Sequence, residues 1–104
     1  MENKTVIDIA ASEISVVIPS YNRAALLRAT IPSYFQTGVG EVIVVNDASG
    51  DDTAAVLQAM QNEFPGLKSV QLPKRSGQAA AKNVGKQMAR YPLVYFGDDD
   101  SVLA

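Results

Sequence analysis

The sequence contains neither cysteine nor histidine. These two absences exclude a thiolate nucleophile, a disulfide, a Ser-His-Asp triad and zinc sites of the ordinary kind, because each depends on sulfur or imidazole. Any chemistry must then run on oxygen ligands. Carboxylates and carbonyls suit Mg²⁺, Mn²⁺ and Ca²⁺, the hard cations that accompany phosphates. Long apolar runs are also lacking. Segment 1–13 is interrupted by Asp8, and no stretch approaches the roughly 18 apolar residues of a membrane span. Nor is there an excess of one charge: 11 acidic and 9 basic residues give a formal net charge of −2. Without a basic stripe, nucleic acid is not an expected partner. The absences together describe a soluble, cytoplasmic chain.

What is present suits one folded domain. The chain has 104 residues, 47% of them apolar and 19% charged, enough for a single modest core. Residues 1–13 are expected to form a leader outside the fold, and residues 14–104 the domain. Ile14–Pro19 is a β-branched run stopped by proline, which predicts a buried strand. From Arg23 to Gln36, Leu27, Ile31, Tyr34 and Phe35 recur at helical spacing, with Asn22 as the expected N-cap and Pro32 expected to kink or split the helix. Glu41–Asn46 is nearly continuous in apolar residues, as a strand covered on both faces should be. Asp51 or Asp52 then caps a helix carrying Val56, Leu57, Met60 and Phe64 on one face, ended by Pro65 and Gly66. Lys68–Leu72 alternates as an edge strand does. A third helix over 76–90, capped by Ser76 and striped by Ala80, Val84 and Met88, leads to a fourth strand at Leu93–Phe96.

Strands alternating with helices of this length make right-handed crossovers. The expected class is therefore α/β: a Rossmann-like parallel sheet of strand order 3-2-1-4 with helices on both faces. That order places a topological switch between the first and fourth strands, where such sheets bind ligands beyond the strands' carboxyl ends. The unusual polar residues fall at those ends: Ser20, Tyr21 and Asn22; Asn46 and Asp47; and Asp98, Asp99 and Asp100. Each alone reads first as turn chemistry, and it is their coincidence at one edge that points to a site. Three adjacent carboxylates, however, repel one another unless a cation offsets the charge. On an extended segment Asp98 and Asp100 point the same way and can share one ion, while Asp99 faces away or reaches a ribose.

The blocks Ser15–Arg23, Glu41–Ser49 with Asp51–Thr53, Gly77 with Ala81–Asn83 and Gly85, and Phe96–Asp100 resemble, in order and spacing, the successive signatures of family 2 glycosyltransferases. The resemblance spans residues 15–103 and implies a partial GT-A domain, cut off just after the carboxylates that hold the donor's metal. It places Pro19 and Tyr21 in the nucleobase pocket, with Tyr21 stacking on the base, the alternative for Tyr21 being a core aromatic. Arg23 and Asp99 join the donor-binding set, and Asp47 accepts hydrogen bonds from base or ribose. Gly77 and Lys82 approach the donor, Lys82 being otherwise a solvated helix lysine. Asp98 and Asp100 match the metal-binding DxD, which implies Mn²⁺ or Mg²⁺. Two departures stand out: Asn46 where aspartate is common, and Gly97 where an apolar residue is common.

The implied activity is inverting, metal-dependent transfer from a nucleotide-diphospho-sugar to a glycan, lipid or protein acceptor. The catalytic base is expected beyond Ala104, so the fragment alone should be inactive. Its truncated face could also drive self-association. Two other readings remain: a binding module without turnover, and a phospho-accepting receiver domain. The latter requires an acidic pair after the first strand, where this chain has Pro19–Asn22.

Overall fold

The computed structural model describes residues 10–97. A 3-10 turn at Ala11–Glu13 precedes β1 (Ile14–Ser20), which is followed by α1 (Ala24–Gln36), β2 (Glu41–Asn46), α2 (Thr53–Glu63), β3 (Leu67–Gln71), α3 (Gln78–Met88) and β4 (Leu93–Phe96). All pairings are parallel and the strand order is β3-β2-β1-β4. The expected sheet is therefore the observed one. It also disposes of the receiver alternative, whose order 2-1-3-4-5 would seat the third strand beside the first.

Period-two alternation explains why the central strands read as unbroken apolar runs. Val16 and Ile18 of β1 and Val42 and Val44 of β2 face α1 and α2, which contribute Leu27, Ile31, Tyr34, Val56, Leu57 and Met60. Val17, Ile43 and Val45 face the other way and meet Ala81 of α3. Helices thus cover both faces. The approach of α3 is close because Gly85 lacks a side chain. A Cβ there would run into Val17 Cγ1 and come within 3.2 Å of Val45 Cγ2.

Several local expectations need correction. Helix α1 continues through Pro32 without splitting: its loss of one backbone hydrogen bond is outweighed by Leu27, Ile31 and Tyr34, which anchor both halves in the core. The N-cap position of α1 is Arg23 rather than Asn22, and that of α3 is Gly77 rather than Ser76, neither with a side-chain cap bond. Ser76 Oγ donates to Lys74 O instead. Ala80 is exposed, and the buried stripe of α3 runs through Ala81 and Gly85. Strand β3 also begins and ends one residue earlier than expected.

At the amino edge of the sheet sits a buried carboxylate that the sequence did not advertise. Glu41 is 2% exposed. Its Oε2 accepts from Ser15 Oγ at 2.6 Å and from Arg90 N at 2.5 Å, and its Oε1 pairs with Lys68 Nζ at 2.7 Å. Ser15 Oγ in turn accepts from Tyr91 N at 3.1 Å. Burial by itself raises the Glu41 pKa, but Lys68, Ser15 and the Arg90 N–H outweigh it and hold the group below its ordinary value. The cluster pins the α3–β4 connection to β1 and β2, at the edge away from the strands' carboxyl ends.

Candidate functional site

Register brings the candidate residues together. Ser20 pairs with Asn46 at the carboxyl ends of β1 and β2, and Asp47 N donates to Ser20 O at 2.8 Å. The loops after the two central strands therefore open on one cleft of about 200 Å³. Pro19, Ser20, Tyr21 and Arg23 line it from β1 and the following loop, Asp47 from the loop after β2, Arg75 from the β3–α3 loop and Gln78 from the start of α3.

Asp47 organises this cleft. It is 4% exposed, its Oδ1 accepts from Ser76 N at 2.7 Å, and its Oδ2 accepts from Gly77 N at 2.9 Å and Arg75 Nε at 3.2 Å. Burial pushes its pKa up, but the two backbone N–H groups and the Arg75 guanidinium outweigh that and hold the carboxyl below its usual range. Gly77 enters the site through this contact. Its φ of +91° lies where a side chain is strained, and it turns the chain so that consecutive N–H groups at the start of α3 point at one carboxylate.

Tyr21 is 38% exposed and lies in the cleft, which removes the core-aromatic reading. The Arg75 guanidinium sits over its ring, 3.6 Å from the centroid. One wall of the cleft is thus an aromatic face that already holds a planar cation. Lys82 is not among the cleft-lining residues; its Nζ lies 5.7 Å from the Phe96 ring centroid, at the end of β4. Asp98, Asp99 and Asp100 lie outside the described residues. Among the described residues, no group of three or more acidic side chains could hold a metal ion.

Both departures from the family pattern have local structural consequences. Asn46 Oδ1 accepts from Ser49 N at 3.0 Å, tightening the turn after β2. A Cβ on Gly97 would lie 2.8 Å from Tyr34 Cζ, so the buried tyrosine occupies the space a larger residue at 97 would need. The sequence reading missed Arg75 and Gln78. The available signal was the basic pair Lys74 and Arg75, just after the carboxyl end of β3 in a sequence with no other adjacent basic residues.

A cleft at the carboxyl edge of a doubly wound parallel sheet, lined by an aromatic face, two arginines and a buried carboxylate, defines an α/β ligand-binding domain of the nucleotide-binding kind. Residues 15–104 match the family model described as Glycosyl transferase family 2, and the chain belongs to that family. It is 34% identical over 94 residues to the GalNAc(5)-diNAcBac-PP-undecaprenol beta-1,3-glucosyltransferase of Campylobacter jejuni, covering 88% of this chain and 30% of the relative. To the teichuronic acid biosynthesis glycosyltransferase TuaG of Bacillus subtilis, a putative assignment in its own description, it is 33% identical over 89 residues, covering 84% and 35%. The chain thus spans about a third of the length of these relatives. Its fold superposes on the mannosyltransferase PcManGT from Pyrobaculum calidifontis, in complex with GDP-Man and Mn²⁺, with TM-score 0.79 and 27% identity, over 86% of this chain and 28% of that one. TarS from S. aureus in complex with UDP-GlcNAc gives TM-score 0.75 and 31% identity, over 85% and 26%. The fold is that of GT-A glycosyltransferases. No helix among the described residues is long and apolar enough to cross a membrane.

Proposed function

We propose that this chain forms the donor-binding part of an inverting, metal-dependent glycosyltransferase that takes a nucleotide-diphospho-sugar as donor. The observation that carries the reading is the convergence of Pro19, Tyr21, Arg23 and Asp47 on one cleft in a family 2 chain. Tyr21 offers a face on which a nucleobase can stack. The guanidinium groups of Arg23 and Arg75 lie within reach of an anionic ligand in the same cleft, and Asp47 holds the loop that carries Arg75. Gly77, Lys82, Asp98 and Asp99 belong to the proposed donor set as well.

Asp98 and Asp100 would hold Mn²⁺ or Mg²⁺. An all-carboxylate donor set fits a hard cation, and β4, which precedes these residues in the chain, pairs with β1, with Gly97 N donating to Val17 O at 2.9 Å. When bound, the ion neutralises charge developing on the departing nucleoside diphosphate. Among the described cleft-lining residues the acidic one is Asp47, committed to three donors, so acceptor activation is not assigned to it. The acceptor is a glycan, lipid or protein hydroxyl.

Thermal unfolding against UDP, GDP, CDP and dTDP, each with and without Mn²⁺, tests the proposal. The favoured pair should stabilise the chain by about 2.7 kcal/mol at roughly 100 times its dissociation constant. Asp100→Ala should abolish the metal-dependent part of the shift. No stabilisation by any nucleotide would overturn the donor reading, and an undiminished metal effect in Asp100→Ala would overturn the metal assignment.

A further inference from the structure

We infer that Asn22 is a positioning residue for the cleft, locking the loop that carries Tyr21 to the loop that follows Asp47. Asn22 has a left-handed backbone, φ +54°, a conformation asparagine tolerates better than most residues. There it makes three bonds to the facing loop. Its N–H donates to Ser49 Oγ at 2.9 Å, and its Oδ1 accepts from Gly50 N at 2.6 Å and from Asp51 N at 3.2 Å. Asp51 returns the connection: its Oδ2 accepts from Ala24 N at 3.3 Å, its Oδ1 from Thr53 N at 3.0 Å, and the Thr53 hydroxyl bonds to Oδ1 as well.

Asp51 therefore satisfies N–H groups at the starts of both α1 and α2, Asn22 satisfies two in the loop that leads into α2, and together they tie the two helix entrances. Tyr21 is the single residue between this brace and Ser20, the last residue of β1. Its backbone is fixed on one side by the sheet and on the other by Asn22. The brace therefore bears directly on where the aromatic face stands opposite Arg75. Asn22 is exposed and does not line the cleft, so its part is played through Tyr21 and the Asp47 loop.

Asn22→Gly keeps the left-handed backbone accessible and deletes the amide acceptor; Asn22→Asp keeps an acceptor oxygen. By NMR, Asn22→Gly should lose the contacts between the Tyr21 ring and the Arg75 side chain, while those of buried Tyr34 remain and Asn22→Asp retains both. The binding arm rests on the donor-site reading above. At a temperature where every variant is fully folded, the dissociation constant for the favoured nucleoside diphosphate should rise roughly tenfold in Asn22→Gly, and Asn22→Asp should restore it. A purely structural role would lower the melting temperature and leave that constant unmoved. Ser49→Ala, which removes only the acceptor for Asn22 N–H, should give a smaller loss in both readouts, and it stands in if Asn22→Gly fails to fold. Persistence of the Tyr21–Arg75 contacts in Asn22→Gly, or in Ser49→Ala where that variant stands in, or unchanged affinity with lowered stability in the same variant, overturns the inference. If the native chain binds no nucleotide, the donor reading fails and the NMR contacts alone decide the brace.

Discussion

Replacing Asp47 should separate two contributions made through one carboxylate. Asp47→Ala removes the acceptor for Ser76 N, Gly77 N and Arg75 Nε. Hydrogen bonds to a charged group contribute about 1.5–3 kcal/mol each, but the cleft is open to water, which can hydrate the two freed N–H groups. The lower end applies, so the two backbone bonds together account for about 3 kcal/mol. The Arg75 side chain is 58% exposed, and an ion pair with so exposed a partner adds at most about 1 kcal/mol. Arg75→Ala should therefore cost about 1 kcal/mol or less, while Asp47→Ala costs about three times that. Asp47→Asn is no rescue, because its NH₂ group would face an N–H donor at either oxygen position. In a chain of this size 1 kcal/mol corresponds to about 4–8 °C of melting temperature. Thermal unfolding by circular dichroism at neutral pH should thus place Asp47→Ala and Asp47→Asn well over 10 °C below the native chain, and Arg75→Ala within about 8 °C of it. The sign with pH follows from the depressed folded pKa: the stabilisation is complete above the ordinary aspartate value and is lost as pH falls through the lower folded one. Arg75→Ala as costly as Asp47→Ala, or an Asp47→Ala melting point within 2–3 °C of native, about half a kcal/mol, would refute this division.

Two further outcomes are expected. Glu41→Gln should destabilise the chain by about 1.5–3 kcal/mol. Because the Glu41 pKa is lowered in the fold from 4.5, its contribution is present above that value and lost as pH falls through the folded one, so urea midpoints measured across acid pH should fall less steeply in the variant. Gly97→Ala forces a methyl against Tyr34 and should cost about 1–3 kcal/mol by overpacking; Gly97→Ala combined with Tyr34→Phe, which removes the crowding hydroxyl, should recover part of that loss, and no recovery would show that the clash lies elsewhere.

Local patterns along the residue string were enough for the elements and their order. Apolar runs of five or six residues, helical spacing at Leu27, Ile31 and Tyr34, and punctuation by Pro19, Pro65 and Gly66 are local signals, and local signals survive in a string. Parallel crossovers of that length leave few topologies, which is why the order 3-2-1-4 and the meeting of residues 20–23 with Asp47 followed from the string as well. The partners of each polar group did not. Asn22 and Ser76 carry the composition of N-caps, yet the structure uses Asn22 against a loop 27–29 residues away and Ser76 as a backbone donor to Asp47, 29 residues away. Glu41 reads as an ordinary charged residue at a strand start, and the Arg90 amide that bonds it lies 49 residues on. A hydrogen-bonding group takes whichever complementary partner the packed chain brings within about 3 Å, and that proximity is created by the register of distant strands and the docking of α3 at Gly85. Residue order encodes it only through the whole fold, so tertiary structure alone decided which polar residues build the cleft and which hold it in shape.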